Sequence, residues 1–271
     1  MKLTVIGHET HVATGGKDFD AGLPTVLFLH GSGLDHRSWA LQTRWFAYNG
    51  FGVLAPDFPA HSLSKGQACK TIEESGQWLL DFLRAAGVEK AHIVGHSQGF
   101  LSALELVKLK PELVTSLTGI GTAAAIPVNP MLIQVAKESA MKAANMMLQW
   151  GFGSATHMGI SATPGMQPIA IGRQIMGNNP LAADLQSCAD YCGGNDVVDQ
   201  IKAPSAMILA GQDKMTPLKA GVAVAENLNA TLTVLKDFGH MLPIEAPKQV
   251  LAALREFIVG VEEKNREVKR Q

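Results

Sequence analysis

A chain of 271 residues with 46% hydrophobic and 17% charged residues has the balance of a soluble globular enzyme and needs no disulfide staples to bury a large core. The formal net charge of −1 offers no global field for nucleic acid or an anionic membrane. Cys69, Cys188 and Cys192 form an odd set without C-x-x-C spacing, the usage of reduced thiols. On a helix Cys188 and Cys192 would share a face, but no histidine or second pair stands beside them, so no metal is expected. The N-terminal apolar run is too short for a signal peptide and no stretch approaches the length of a bilayer, which predicts a cytoplasmic protein. The expected partner is a small-molecule substrate, with no cofactor, nucleic acid or membrane, and the sequence leaves monomer and homodimer both open.

Residues 2 to 14 predict one or two short strands, closed by the turn Gly15-Gly16-Lys17-Asp18. Thr25 to Leu29 is a continuous run of apolar β-formers, the pattern of a strand buried on both faces, and it ends in His30-Gly31-Ser32-Gly33. A helix is expected from an N-cap at Ser38 to Tyr48, then a strand over 51–55 that leads into Pro56-Asp57. Thr71 and Glu74 match a capping box at the head of a helix that runs to Ala86, with Gly87 as its stop. Ala91 to Val94 is β-prone, Phe100 to Lys108 is helical, and 113–120 is a further strand. This alternation predicts a right-handed, doubly wound, mostly parallel sheet of the α/β class.

Between residues 122 and 199 the rhythm lapses. Helix-like segments are broken by Pro127, Pro130, Gly151, Gly153, Pro164, Gly177 and Pro180, and Met131, Met141, Met146, Met147, Met158, Met166 and Met176 gather there. The segment reads as an inserted helical lid, so that 1–121 and 200–271 form the core. Met141, Met146, Met147, Trp150 and Phe152 are spaced to share a helical face that either lines an apolar pocket or packs the lid. Core rhythm resumes with strands over 205–210 and 231–235, a helix over 218–227 and a last helix over 247–261. The charged remainder, 262–271, is expected to be frayed helix or solvated tail.

The chemistry centres on Val94-Gly95-His96-Ser97-Gln98-Gly99. A serine on a strand-to-helix corner, flanked by glycines that remove β-carbons from a sharp turn, is a nucleophile elbow. Its hydroxyl needs a general base, and the base needs an orienting carboxylate. Two later turns at strand ends supply them: Gly211-Gln212-Asp213-Lys214 and Asp237-Phe238-Gly239-His240-Met241. The remaining histidines, His96 among them, have no adjacent carboxylate turn and are expected to be structural. His96 is expected to point away from the nucleophile.

The order Ser97, Asp213, His240 on alternating strands and helices resembles the α/β-hydrolases, of the lidded serine esterase and lactonase type. The resemblance spans nearly the whole chain. It implies the α/β-hydrolase fold with an inserted helical lid, and a catalytic triad of Ser97, His240 and Asp213. It also implies an oxyanion hole formed by the Ser32 and Gln98 amides, near the electropositive start of the helix after the elbow. Gly31 and Met241 from the core, with Met146, Met147 and Trp150 from the lid, are the expected substrate contacts. The implied activity is hydrolysis of a carboxylic ester, lactone or thioester of a small, largely apolar substrate. Carbon–carbon hydrolysis, perhydrolysis and a non-catalytic receptor remain alternatives. One departure stands out: where the family commonly carries Asp-x-Pro-Gly-His-Gly, this chain has Asp57-Phe58-Pro59-Ala60-His61-Ser62. A turn of the usual shape would force side chains into positive φ.

Overall fold

The computed structural model describes residues 1–161 and 165–270. One eight-stranded sheet runs in the order β1-β2-β4-β3-β5-β6-β7-β8. Its strands are β1 (Lys2–Val5), β2 (His8–Ala13), β3 (Thr25–Leu29), β4 (Gly52–Pro56), β5 (Ala91–His96), β6 (Val114–Ile120), β7 (Ser205–Ala210) and β8 (Thr231–Leu235). β1 and β2 pair antiparallel, β2 joins β4 antiparallel, and every pairing from β4 to β8 is parallel. β3, β4, β5 and β7 are buried along their whole length, which is why their apolar runs do not alternate.

Helices cover both faces. α1 (Ala40–Tyr48) and α12 (Pro247–Arg270) pack on one face, around Phe28, Trp39, Phe46, Val250, Leu254 and Ile258. α2 (Ile72–Ala85), α3 (Gln98–Leu109) and α10 (Leu218–Asn227) cover the other. Thr71 caps α2 by accepting the Glu74 amide at 3.1 Å, while Glu74 reaches back one residue too far for a reciprocal box and accepts the Lys70 amide at 2.7 Å. α1 starts later than expected. Asp35 caps a short 3-10 turn, His36–Trp39, and Ser38 spends its hydroxyl on the Asp35 carbonyl at 2.7 Å. The charged tail continues α12 through Arg270, because 262–270 contains no helix breaker after Gly260 and is rich in Glu, Lys and Arg.

Between β6 and β7 lie α4 (Pro130–Glu138), α5 (Ala140–Gly151), α6 (Ser154–His157), α7 (Pro168–Met176), α8 (Leu181–Asp190) and α9 (Gly194–Val198). Pro164, named above as a breaker, lies outside the described residues. Met147, Leu148, Phe152, Ile175, Met176 and Leu181 form a third apolar cluster that also takes in Leu34, Met241 and Ile244 from outside the segment. The two ends of this segment do not behave as a separate unit, since Ala123, Ala124, Tyr191, Val197 and Val198 pack into the core under α3.

The loop after β4 keeps the glycine-shaped path without its glycines: Ala60 has φ +66° and Ser62 φ +46°. A β-carbon in this region costs about 1–2 kcal/mol, partly offset by the chain entropy that glycine loses on folding. Ala60→Gly is therefore expected to stabilise the protein by roughly 0.5–1 kcal/mol, seen as a higher urea midpoint with an unchanged slope. A lower midpoint would mean that the Ala60 methyl contributes packing that outweighs its strain. The short segment between β8 and α12 holds α11 (Leu242–Glu245), two residues after His240.

Candidate active site

β5 ends at His96, α3 begins at Gln98, and Ser97 between them has φ +51° and ψ −121°, outside the regions that L-residues favour. Its neighbours hold it there. The Ser97 amide donates to the Ile120 carbonyl at 3.0 Å, and the Ser97 carbonyl accepts the Phe100 amide (3.0 Å) and the Thr122 hydroxyl (3.1 Å). The flanking glycines answer to different neighbours. A β-carbon on Gly95 would lie 2.5 Å from the Phe100 backbone nitrogen, whereas one on Gly99 would press on the Leu29 carbonyl of the adjacent strand.

His240 follows β8 in a turn that wraps closely around the end of α5. The Met241 amide donates to the Gly151 carbonyl at 3.0 Å, and Gly239, with no room for a β-carbon against Gly151 and Phe152, donates to Glu245 at 2.7 Å. His240 Nδ1 lies 2.8 Å from Asp213 Oδ2. The other carboxylate oxygen accepts the Met215 and Thr216 amides at 2.8 and 2.7 Å, so Asp213 is fixed by its own turn and acts towards the ring as an acceptor. Nδ1–H donates to Asp213, which leaves Nε2 as the lone-pair nitrogen. The end of β6 brings Gly121 beside this turn, where a β-carbon would lie 3.0 Å from the His240 carbonyl.

Ser97, His240 and Ser32 all border one cavity of about 230 Å³, walled by Leu34, Ile126, Val128, Leu132, Met147, Trp150, Leu185, Cys188 and Met241. Gln98 places its backbone at the first position of α3, where the amide has no intrahelical acceptor, and its side chain turns aside to donate to Ser187 at 3.3 Å. Gly31 does not line the cavity. It backs Ser97 from behind, since a β-carbon there would fall 2.9 Å from His96 Nδ1 and 3.1 Å from Ser97 Cβ. Met146 is likewise not among the lining residues: it packs within the helical segment, while its neighbour Met147 and Trp150, one turn on, reach the cavity. Phe152 is buried in that same helical cluster and Met141 is exposed, so the anticipated face divides between wall and packing.

Of the lining residues outside the expected set, Lys214 and His96 bear most on the chemistry. Lys214, adjacent to Asp213, is the one lining residue with a lysine or arginine charge among the described residues; its position in the acid turn was the available signal. His96 does not point away. It lines the cavity, its Nε2 donates to the His240 carbonyl at 3.0 Å, and its ring centroid lies 5.0 Å from that of His240. Burial, reinforced by His240 alongside, lowers its pKa to about 3, so it is a neutral brace for the His240 backbone.

Several histidines with no carboxylate turn beside them in sequence find acidic partners in distant segments. His61 pairs with Asp184 (2.9 Å), His92 with Glu262 (3.1 Å) and His36 with Asp57 (2.7 Å). His11, His36 and Asp57 form the single metal-compatible trio among the described residues. Asp57 Oδ1, however, already accepts both the His36 amide and ring, while the Asp57 amide donates to the His11 carbonyl at 3.0 Å, so the trio ties β2 and the end of β4 to the 3-10 turn His36–Trp39. Cys188 is buried at the cavity and Cys192 is exposed beyond the end of α8, so the two thiols do not share a face.

A family model described as the alpha/beta hydrolase family matches residues 26–254. The chain belongs to the alpha/beta hydrolase family. Among curated relatives, a 2-hydroxy-6-oxononadienedioate/2-hydroxy-6-oxononatrienedioate hydrolase of Paraburkholderia phymatum is 26% identical, with 94% of each chain covered. Among solved structures, this hydrolase superposes on the enol-lactonase from Burkholderia xenovorans with a TM-score of 0.84, 21% identity and coverage of 96% of this chain and 100% of the other. A thermophilic esterase from Thermogutta terrifontis gives a TM-score of 0.82 at 22% identity, with 96% and 98% covered. No helix among the described residues is long and apolar enough to cross a membrane.

Proposed function

We propose that this alpha/beta hydrolase cleaves a carboxylic ester or lactone of a small, largely apolar substrate through an acyl-enzyme. The observation that carries the reading is the arrangement at the cavity floor: a strained, cavity-facing Ser97 beside His240, whose Nδ1 is engaged by Asp213 at 2.8 Å. In this reading Ser97 Oγ attacks the carbonyl carbon and passes its proton to His240 Nε2. The imidazolium returns that proton to the leaving oxygen; His240 then takes a proton from water as the water oxygen attacks the acyl carbon, and gives it back to Ser97 Oγ as the Ser97–acyl bond breaks and the acid leaves. The Ser32 and Gln98 amides receive the negative charge that develops on the carbonyl oxygen. The helices between β6 and β7 act as the lid that excludes water and shapes the pocket. A fluorophosphonate probe with a panel of p-nitrophenyl esters tests it. Failure of Ser97 to label, or labelling without turnover of any ester, would count against it.

Carbon–carbon hydrolysis is the second reading, favoured by the names of the curated relatives. It uses the same triad on a ketone instead of an ester. Among the described residues the wall is mostly apolar and Lys214 is its one lysine or arginine, which fits a substrate with few charges better than one with several. Faster turnover of a 2-hydroxy-6-oxo-dienoate than of every ester would shift the assignment.

If the acyl group lies along the apolar wall, each added CH₂ should gain about 0.8 kcal/mol, roughly fourfold in kcat/KM, until about 230 Å³ is filled. Met147→Ala is expected to move the preferred chain length upward. An unchanged chain-length profile in a stable variant would assign Met147 to packing alone.

A further inference from the structure

We propose that Asp184 is a positioning residue for the oxyanion turn: its buried carboxylate, shared between the Gly33 amide and the imidazolium of His61, holds the turn that carries Ser32 against Ser97. The inference rests on the proposed acyl-enzyme chemistry. Asp184 lies on α8, 151 residues from Gly33, and is only 3% exposed. Its Oδ2 accepts the Gly33 amide at 2.7 Å and faces His61 Nε2 at 2.9 Å. Such a buried carboxylate is tolerable only when its donors are in place.

The protonation of His61 follows from its partners. Nδ1 faces the Pro59 carbonyl at 3.0 Å and Nε2 faces Asp184, two acceptors, so both nitrogens must carry hydrogen for both bonds to form. Burial opposes that charge, but the Asp184 carboxylate and these hydrogen bonds, with Asp57 more distant, outweigh it and raise the pKa above 6.5. The other titratable neighbour is His30, whose ring centroid is 4.9 Å away. His30 donates from Nδ1 to the Gly31 carbonyl (3.0 Å) and accepts the Phe58 amide at Nε2 (3.2 Å), the pattern of a neutral ring. Burial and the His61 charge lower its pKa to about 4. One ion pair, His61⁺ with Asp184⁻, therefore sits beneath the turn.

Asn179, in the same segment as Asp184, completes the grip. Its amide donates to the Gly33 and Leu34 carbonyls at 2.9 Å each, and its Oδ1 accepts the amide of the strained Ser62 at 2.8 Å. Gly33 is thus held at its N–H by Asp184 and at its C=O by Asn179. It has φ +68°, and a β-carbon would meet Leu181 at 2.8 Å. The next turn of α8 brings Cys188 Sγ to 3.6 Å from Ser32 Oγ. The same helix that shapes the cavity therefore sets the oxyanion turn one residue from Ser32.

An amide misplaced by about 1 Å matters most where charge develops, so the loss should fall on kcat and spare KM. Asp184→Asn is expected to lower kcat for the best p-nitrophenyl ester roughly a hundred-fold with KM within about threefold. Because the folded pKa of His61 is raised, its contribution is present below that value and lost as pH rises through it. The wild type should therefore show an alkaline fall in kcat that Asp184→Asn and His61→Gln both lack. Unchanged kcat in a folded Asp184→Asn, or a rise in KM alone, overturns the proposal. If Asp184→Asn does not fold, His61→Gln decides: wild-type kcat with the alkaline fall retained overturns it. An independent readout does not depend on activity. Nitrogen-15 NMR of the wild type at about pH 7, above the ordinary histidine pKa, should show His61 protonated on both nitrogens, and a neutral ring overturns the proposal. Absence of fluorophosphonate labelling and of ester turnover in wild type, with His61 found protonated, would instead strike the acyl-enzyme reading alone.

Discussion

Ser97→Ala is expected to reduce kcat/KM for a p-nitrophenyl ester on the order of a million-fold while leaving cooperative unfolding intact, since triad members act as a unit. The substitution deletes one oxygen at the cavity surface. It leaves untouched the backbone bonds from Ser97 to Ile120, Phe100 and Thr122 that hold the corner. Alanine must still adopt φ +51°, as serine does, so the strain is carried over unchanged. A residual rate of about 10³–10⁴ over water, from the oxyanion amides and binding, should survive. Retention of more than about a tenth of wild-type activity, far above that floor, would remove Ser97 from the nucleophile role.

The parts of this molecule legible in its sequence are those where one local pattern had one physical outcome. Continuous apolar runs became the fully buried central strands, and the two turns bearing Asp213 and His240 arrived at neighbouring strand ends because parallel strands deliver their carboxyl ends to one side of the sheet. The loop with Ala60 and Ser62 in place of glycines was readable too, as a turn whose shape persists at the expense of positive φ. What stayed hidden depends on contacts between distant segments. His61 meets Asp184 across 123 positions and His92 meets Glu262 across 170, and no local spacing encodes either pair. His96 was misjudged for a related reason: the path of the corner, set by Gly31 behind it and the His240 carbonyl beside it, turns its ring towards the cavity. Met146 and Met147 show the limit of helical periodicity, because adjacent residues near the edge of one face divide between packing and cavity according to where the neighbouring helices lie.

That dependence on long-range placement is strongest at His240, which belongs to no regular element. It is held instead by Gly239 to Glu245, by Met241 to Gly151 and by His96 to its carbonyl. Glu245 in turn accepts the Gly153 amide and the Thr156 hydroxyl, both at 2.7 Å, so one buried carboxylate ties the base turn to the start of α6. In the proposed mechanism the imidazole therefore needs little reorganisation before it accepts the serine proton. His240→Ala is expected to cost about as much as Ser97→Ala, on the order of a million-fold in kcat, and the double variant little more. Once the base is gone the hydroxyl has nothing to take its proton, so the second deletion removes a group that no longer acts. Asp213→Asn should cost less, about ten-thousand-fold, because its Oδ1 can still accept the Met215 and Thr216 amides, but the opposing NH₂ forces His240 to turn Nδ1 into an acceptor and protonate Nε2. Raising the pH should restore little, since the wrong tautomer persists wherever the ring is neutral. Losses that multiply in the double variant would show two independent contributions, and a fully active Asp213→Asn would move the orienting role elsewhere.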